Sequence, residues 1–165
     1  MNYTRKLARV FCLLWCLLVL LAASEAKAAG NAVIPITPEG VEDLVKANNC
    51  PIIITIMSSR CGACRQELPS YQKIYERYGE QGLGIFVVSI DFGSSREIQA
   101  IVDRMGLTYP VFWGGERAMY AFNISLVPYK MVALNGRVVE TIVGAWTPSE
   151  MESKIQGFAE ACGRQ

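Results

Sequence analysis

The chain has 165 residues, 52% of them hydrophobic and 19% charged, enough to bury the core of one ordinary domain and unlike a disordered or collagen-like composition. Sixteen Lys and Arg against fifteen Asp and Glu leave a net charge of +1, too little for a bulk basic field toward nucleic acid. There is no His, which removes Ser-His and Cys-His catalysis, His acid–base work and almost every catalytic zinc site.

Arg5, Lys6 and Arg9 precede an unbroken apolar run of 14 residues, Val10 to Ala23. Ser24 to Ala29 then supply a small-residue exit. A basic start, a short apolar run and Ala26-Lys27-Ala28 read as a secretory signal peptide over residues 1–28. The run is shorter than the ~20 residues of a membrane-spanning helix; an uncleaved membrane anchor is the alternative reading. Residues 1–28 hold four basic groups (Arg5, Lys6, Arg9, Lys27) and Glu25, so residues 29–165 carry 12 positive and 14 negative charges, net −2. Four cysteines remain there: Cys50, Cys61, Cys64 and Cys162. Outside the cytoplasm disulfides persist.

Val33–Ile36 is a short apolar stretch. Thr37-Pro38-Glu39 is a helix start, with Thr as N-cap and Pro at the first helical position; Val41, Leu44 and Val45 give that helix a buried face. Residues 51–57 (PIIITIM) form the continuous apolar run of a strand covered on both faces. Leu68, Tyr71, Ile74, Tyr75 and Tyr78 make a helical stripe over 62–79, with Pro69 expected to kink it. Leu83–Ile90 is a second buried strand. Ser94 and Glu97 read as a capping box for a helix over 95–105. Tyr109–Trp113 is a short extended stretch and Glu116–Phe122 a short helix. Lys130–Leu134 and Arg137–Val143 are strands joined by Asn135-Gly136, a strong hairpin signal. Thr147-Pro148-Ser149-Glu150 opens the last helix. Right-handed crossovers make the first strands parallel, and the hairpin adds an antiparallel edge. The pattern implies one α/β domain, a mixed central sheet with helices on both faces.

Cys61-Gly62-Ala63-Cys64 falls directly after the first buried strand and at a helix start. Helix N-terminal N–H groups favour thiolate over thiol, and the thiolate is the nucleophile. Spacing of three puts both sulfurs on one side of the first turn. Cys61 is the expected attacking sulfur and Cys64 the resolving one. A zinc half-site needs a second ligand pair, and Cys50 and Cys162 have no such spacing, so no metal is expected. A purely structural 61–64 disulfide closes too short a loop to stabilise much. A bridge between Cys50 and Cys162 needs Cα atoms within ~7 Å; the sequence leaves it open.

The chain resembles the TlpA/ResA-type extracytoplasmic thiol-disulfide oxidoreductases of the thioredoxin fold over roughly residues 35–160. The resemblance rests on Cys61-Gly62-Ala63-Cys64-Arg65-Gln66-Glu67-Leu68-Pro69, Val87-Val88-Ser89-Ile90-Asp91, Ser125-Leu126-Val127-Pro128 and Val143-Gly144-Ala145. It implies a thioredoxin-like fold for residues 29–165 and a redox-active Cys61–Cys64 disulfide. It also implies a cis Val127-Pro128 that leaves an edge open for substrate backbone. Glu67 matches an acidic residue three positions after the second Cys, either a proton partner for the resolving thiol or a solvated helix-surface Glu. No cofactor is implied beyond the dithiol. The implied partners are protein disulfide substrates and a membrane electron donor, in the periplasm or another extracytoplasmic space; cytochrome c maturation is one candidate setting. Three positions depart from the family: Arg60 where Trp is usual before the first Cys, Thr55 where thioredoxins bury an acid, and Tyr129-Lys130 after the Pro. A peroxiredoxin-like peroxidase and a non-catalytic binding module on the same scaffold are the alternatives. The 35 residues between Asp91 and Val127 hold no DsbA-type helical insertion, and Gly62-Ala63 lacks a thiolate-stabilising His, so the expected role is reductant.

Overall fold

The computed structural model describes residues 31–162, with side chains through 158. The signal segment over 1–28 and the Cys162 side chain lie outside the described residues. Six strands and five helices alternate in the expected order. They are β1 (Ile34–Pro35), α1 (Pro38–Ala47), β2 (Ile52–Met57), α2 (Gly62–Tyr78), β3 (Gly84–Ser89), α3 (Arg96–Met105), β4 (Val111–Trp113), α4 (Gly115–Ala121), β5 (Tyr129–Leu134), β6 (Arg137–Val143) and α5 (Pro148–Cys162). The sheet order is β1-β4-β3-β2-β5-β6. β1 pairs with β4, β4 with β3 and β3 with β2 in parallel; β5 runs antiparallel to β2 and β6 antiparallel to β5.

Strand side chains alternate between faces, and β2 uses that period to join two cores. Ile52, Ile54 and Ile56 pack with Val41 and Val45 of α1 and Ala118 of α4. Ile53 and Met57 face the other way, with Leu68, Tyr71 and Ile74 of α2, Ile98 and Val102 of α3, and Met151 and Ile155 of α5. All six β2 residues are buried, so the apolar run is a strand with helices on both sides, as its composition predicts.

Local signals hold at most boundaries. The Thr37 side chain accepts the Gly40 N–H, and Pro38 opens α1. At α5 the capping box is reciprocal: Thr147 Oγ1 accepts from Glu150 N at 3.3 Å, and Thr147 N donates to Glu150 Oε2 at 2.8 Å. Asn135 and Gly136 both take positive φ, 51° and 75°, the pair of values a two-residue hairpin turn needs. One expectation changes. The Ser94/Glu97 capping box does not form: Ser95 is the N-cap of α3, with no side-chain cap bond. Glu97 instead accepts hydrogen bonds from Ser59 and Arg60, a stronger, charge-assisted demand on its carboxylate. α2 runs from Gly62 to Tyr78 with Pro69 inside it.

β6 forms one sheet edge. Val138, Val139 and Val143 are exposed there, and the β5–β6 register slips between Val132 and Ala133, leaving Val139 as the extra residue of a bulge. Cys50, at the end of the loop before β2, is disulfide-bonded. The two-faced burial of β2 is testable. Ile54→Ala should destabilise the protein by ~2–5 kcal/mol, read as a lower urea midpoint at unchanged slope, whereas exposed Val139→Thr should stay within ~0.5 kcal/mol.

Candidate active site

The end of β2 delivers the chain into a turn, Ser58-Ser59-Arg60, that one buried carboxylate organises. Asp91, just past β3, accepts Ser58 Oγ at 2.7 Å and Ser59 N at 2.9 Å on Oδ1, and Ser89 Oγ at 2.7 Å on Oδ2. Its own carbonyl accepts Trp113 Nε1 at 2.8 Å. Asp91 is 4% exposed, so these donors replace water. The turn is thereby tied to the ends of β3 and β4.

Cys61 comes next as the N-cap of α2, and its Sγ accepts the backbone N–H of Cys64 at 3.1 Å. The cap position aims the positive end of the helix at this sulfur. Cys61 and Cys64 are disulfide-bonded, with Cα atoms 5.2 Å apart. Cys61 is half-buried and Cys64 fully buried, while Gly62 and Ala63 are exposed. Of the two sulfurs, the one expected to attack is thus the more accessible. The Val127-Pro128 peptide bond is cis, and Val127 O lies 3.7 Å from Cys61 Sγ. The sequence-predicted residues Cys61, Cys64, Val127 and Pro128 therefore meet at one end of the sheet.

Glu67 is not a solvated surface residue; it is 2% exposed. Its Oε1 accepts Trp146 N at 2.7 Å and lies 2.9 Å from Lys130 Nζ. Both side chains of this ion pair are buried from solvent. Lys130 also donates to Gly144 O at 2.6 Å, and its ammonium sits 4.9 Å from the centre of the Trp146 ring. Burial pushes the Lys130 ammonium down from its ordinary value, with Glu67 opposing the change. Glu67 Oε2 is buried and has no hydrogen-bond partner among the described residues. Thr55, in place of a buried strand acid, donates to Tyr71 Oη at 2.8 Å; burial, reinforced by Glu67, holds the Tyr71 phenol well above its ordinary value.

Lys130 is a site residue that motif spacing alone does not single out. Its signal is nonetheless present in the sequence. Glu67 falls on the buried α2 positions 64, 67, 68, 71 and 74, and Lys130 occupies a strand position next to Met131, which belongs to the opposite core. A carboxylate on a buried helix stripe needs a buried cation. Arg60, by contrast, is 83% exposed at its side chain and bonded to Glu97 at 3.2 Å, so its charge is shared rather than directed at Cys61. The dependence on Asp91 is open to test. Asp91→Ala leaves the buried Ser59 N–H without its acceptor and should cost ~1–3 kcal/mol, measured by thermal unfolding of the oxidised protein.

Comparison with known proteins agrees with this geometry. The AhpC/TSA family model matches residues 25–139. The thioredoxin-like protein YneN of Bacillus subtilis is 26% identical over 117 residues, covering 68% of this chain and 67% of that protein. The thiol-disulfide oxidoreductase ResA of Oceanobacillus iheyensis is 27% identical over 111 residues, 66% of this chain and 57% of ResA; the chain thus spans little more than half of that relative. Among solved structures, StoA from Bacillus subtilis superposes with a TM-score of 0.56 at 18% identity, over 64% of this chain and 82% of StoA. A thioredoxin family protein from Chlorobium tepidum gives 0.62 at 18% identity, over 79% of this chain and 99% of that one. Sheet order, cysteine pair and these likenesses agree: the chain belongs to the AhpC/TSA family, as a TlpA/ResA-like member with a thioredoxin-like fold.

Proposed function

We propose that this protein is an extracytoplasmic thiol-disulfide oxidoreductase that reduces disulfides in exported proteins. The observation that carries the reading is the Cys61–Cys64 bridge at a helix N-terminus, its outer sulfur accepting the Cys64 N–H at 3.1 Å. That donor and the helix end favour Cys61 as thiolate once the pair is reduced. Support also comes from relatives named thiol-disulfide oxidoreductase.

In the reduced protein the Cys61 thiolate attacks one sulfur of a substrate disulfide. The substrate S–S bond breaks, one substrate thiolate leaves and takes a proton from water, and a mixed disulfide forms at Cys61. The substrate backbone lies along Val127 and the cis Pro128, where no ring N–H competes for its carbonyls. Cys64 then loses its proton to Glu67, one helical turn away. Its thiolate attacks Cys61 Sγ, closing the 61–64 disulfide and releasing the second substrate thiolate, which is protonated in turn. Two electrons pass to the substrate, and a membrane electron donor returns the pair to the dithiol. No bound cofactor enters these steps. A signal segment at 1–28 supports export, cleaved or retained as an anchor.

The trapping experiment tests the roles. Cys64→Ser should accumulate a mixed disulfide with substrate, and Cys61→Ser should not; equal trapping by both variants contradicts the assignment. An insulin-reduction assay with dithiothreitol should show turnover, while the same protein should not consume peroxide. Peroxide consumption without insulin reduction would move the reading to a peroxidase. Inactivity in both would leave a binding module.

The direction of electron flow is tested separately. The exposed Arg60 guanidinium is screened and shared with Glu97, and no His lies between the cysteines. The potential should therefore lie nearer the thioredoxin value of roughly −270 mV than the DsbA value of about −120 mV. Equilibration with a glutathione buffer measures it, and a value more positive than about −180 mV contradicts a reductant role.

A further inference from the structure

The Glu67–Lys130 pair is isolated from solvent, yet one of its carboxylate oxygens is unmatched among the described residues. Glu67 Oε1 is held twice, by Trp146 N at 2.7 Å and Lys130 Nζ at 2.9 Å. Lys130 is held again by Gly144 O at 2.6 Å. Oε2 is buried and unpartnered among the described residues. Leaving a buried acceptor without a donor is unfavourable, so its freedom calls for a use. Cys64 stands three residues earlier on the same buried stripe, itself 1% exposed, and its thiol must shed a proton where water has little access.

We propose that Lys130 is a positioning residue for the resolving step: it holds Glu67 as a carboxylate by clamping Oε1, so that Oε2 stays free to take the Cys64 proton. This rests on the Glu67 role in the proposed function and adds the group that makes it workable. Without a neighbouring cation, burial favours the neutral acid, and a neutral acid cannot accept a proton. Lys130 is also two residues from cis Pro128, so one short strand segment carries both the substrate-facing proline and the ammonium that sets the base. When Oε2 takes the Cys64 proton, the ion pair becomes a neutral acid beside an ammonium still held by Gly144 O and the Trp146 ring. The proton returns to solvent after the 61–64 bond closes.

Among the described residues, the other groups around the pair do not supply this charge. Tyr71 and Tyr109, both buried, have phenols pushed far up by burial. Lys154 lies 5.7 Å from the centre of the Trp146 ring but pairs with Glu140 at 3.4 Å. The Cys61–Cys64 bridge carries no charge in this oxidised state.

The test uses the two-step reduction of 5,5′-dithiobis(2-nitrobenzoate) by the reduced full-length protein in stopped flow. The first thionitrobenzoate released reports Cys61 attack, and the second reports resolution by Cys64. In K130M the second phase should slow about tenfold at pH 7, its acid limb moving to higher pH, with the first phase within twofold of wild type. E67Q should abolish that limb, and K130M/E67Q should match E67Q. A folded K130M whose second phase is unchanged across pH overturns the proposal and leaves Glu67 untouched. An unchanged second phase in E67Q instead removes the Glu67 role itself, and the proposal with it. Should K130M not fold, infrared difference spectra of wild type against E67Q decide. A carboxylate band from Glu67 at pH 7 is expected, and a protonated-carboxyl band there overturns the proposal.

Discussion

A strand buried on both faces has no free side on which to adjust, and β2 is such a strand. Every residue from Ile52 to Met57 is enclosed, three isoleucines by one helical layer and Ile53 and Met57 by the other. Its neighbours β3 and β5 fix it laterally through continuous ladders. The turn at its end therefore leaves the sheet at a fixed place and angle. The cysteine pair, four residues past the strand, inherits that rigidity.

Rigidity alone does not orient a sulfur; the polar groups at the strand ends do. Asp91 gathers the donors of Ser58, Ser59 and Ser89, fixing the chain just before Cys61. On the other side of the pair, Glu67 and Lys130 place opposite charges in a core that otherwise admits few. Such a pair seldom adds stability over apolar replacements, because desolvation offsets the attraction. Its presence in the interior argues for a chemical role. The two residues converge on the same end of the sheet from a helix and from a strand, at positions 67 and 130 of the chain.

Much of the architecture is legible in the sequence because local signals and tertiary demand coincide. The PIIITIM run, the Asn135-Gly136 turn and the Thr147/Glu150 box each have one physical solution, and the chain adopts it. The redox pair is legible for the same reason: its spacing and place after a strand leave few other uses. The Ser94/Glu97 pattern misleads because a competitor distant in sequence, Arg60, draws the Glu97 carboxylate away from the backbone N–H. Lys130 is hard to see because its meaning depends on a partner on another element. Neither Glu67 nor Lys130 is unusual alone; the contact between them exists only once α2 lies across the sheet.

The bulge at Val139 bears on a different matter, how this molecule behaves in a crowd of its own kind. β6 is a margin of the sheet and carries three exposed valines, the kind of border onto which another extended chain can build its own ladder. Growth of that sort requires an even spacing of donors and acceptors. One supernumerary residue breaks the spacing and coils the margin out of plane, and Arg137 and Glu140 add charges that a stacked array would have to bury. The same irregularity that looks like a defect in the ladder thus acts as a brake on fibrillar self-association, without demand on the chemistry of the cysteines.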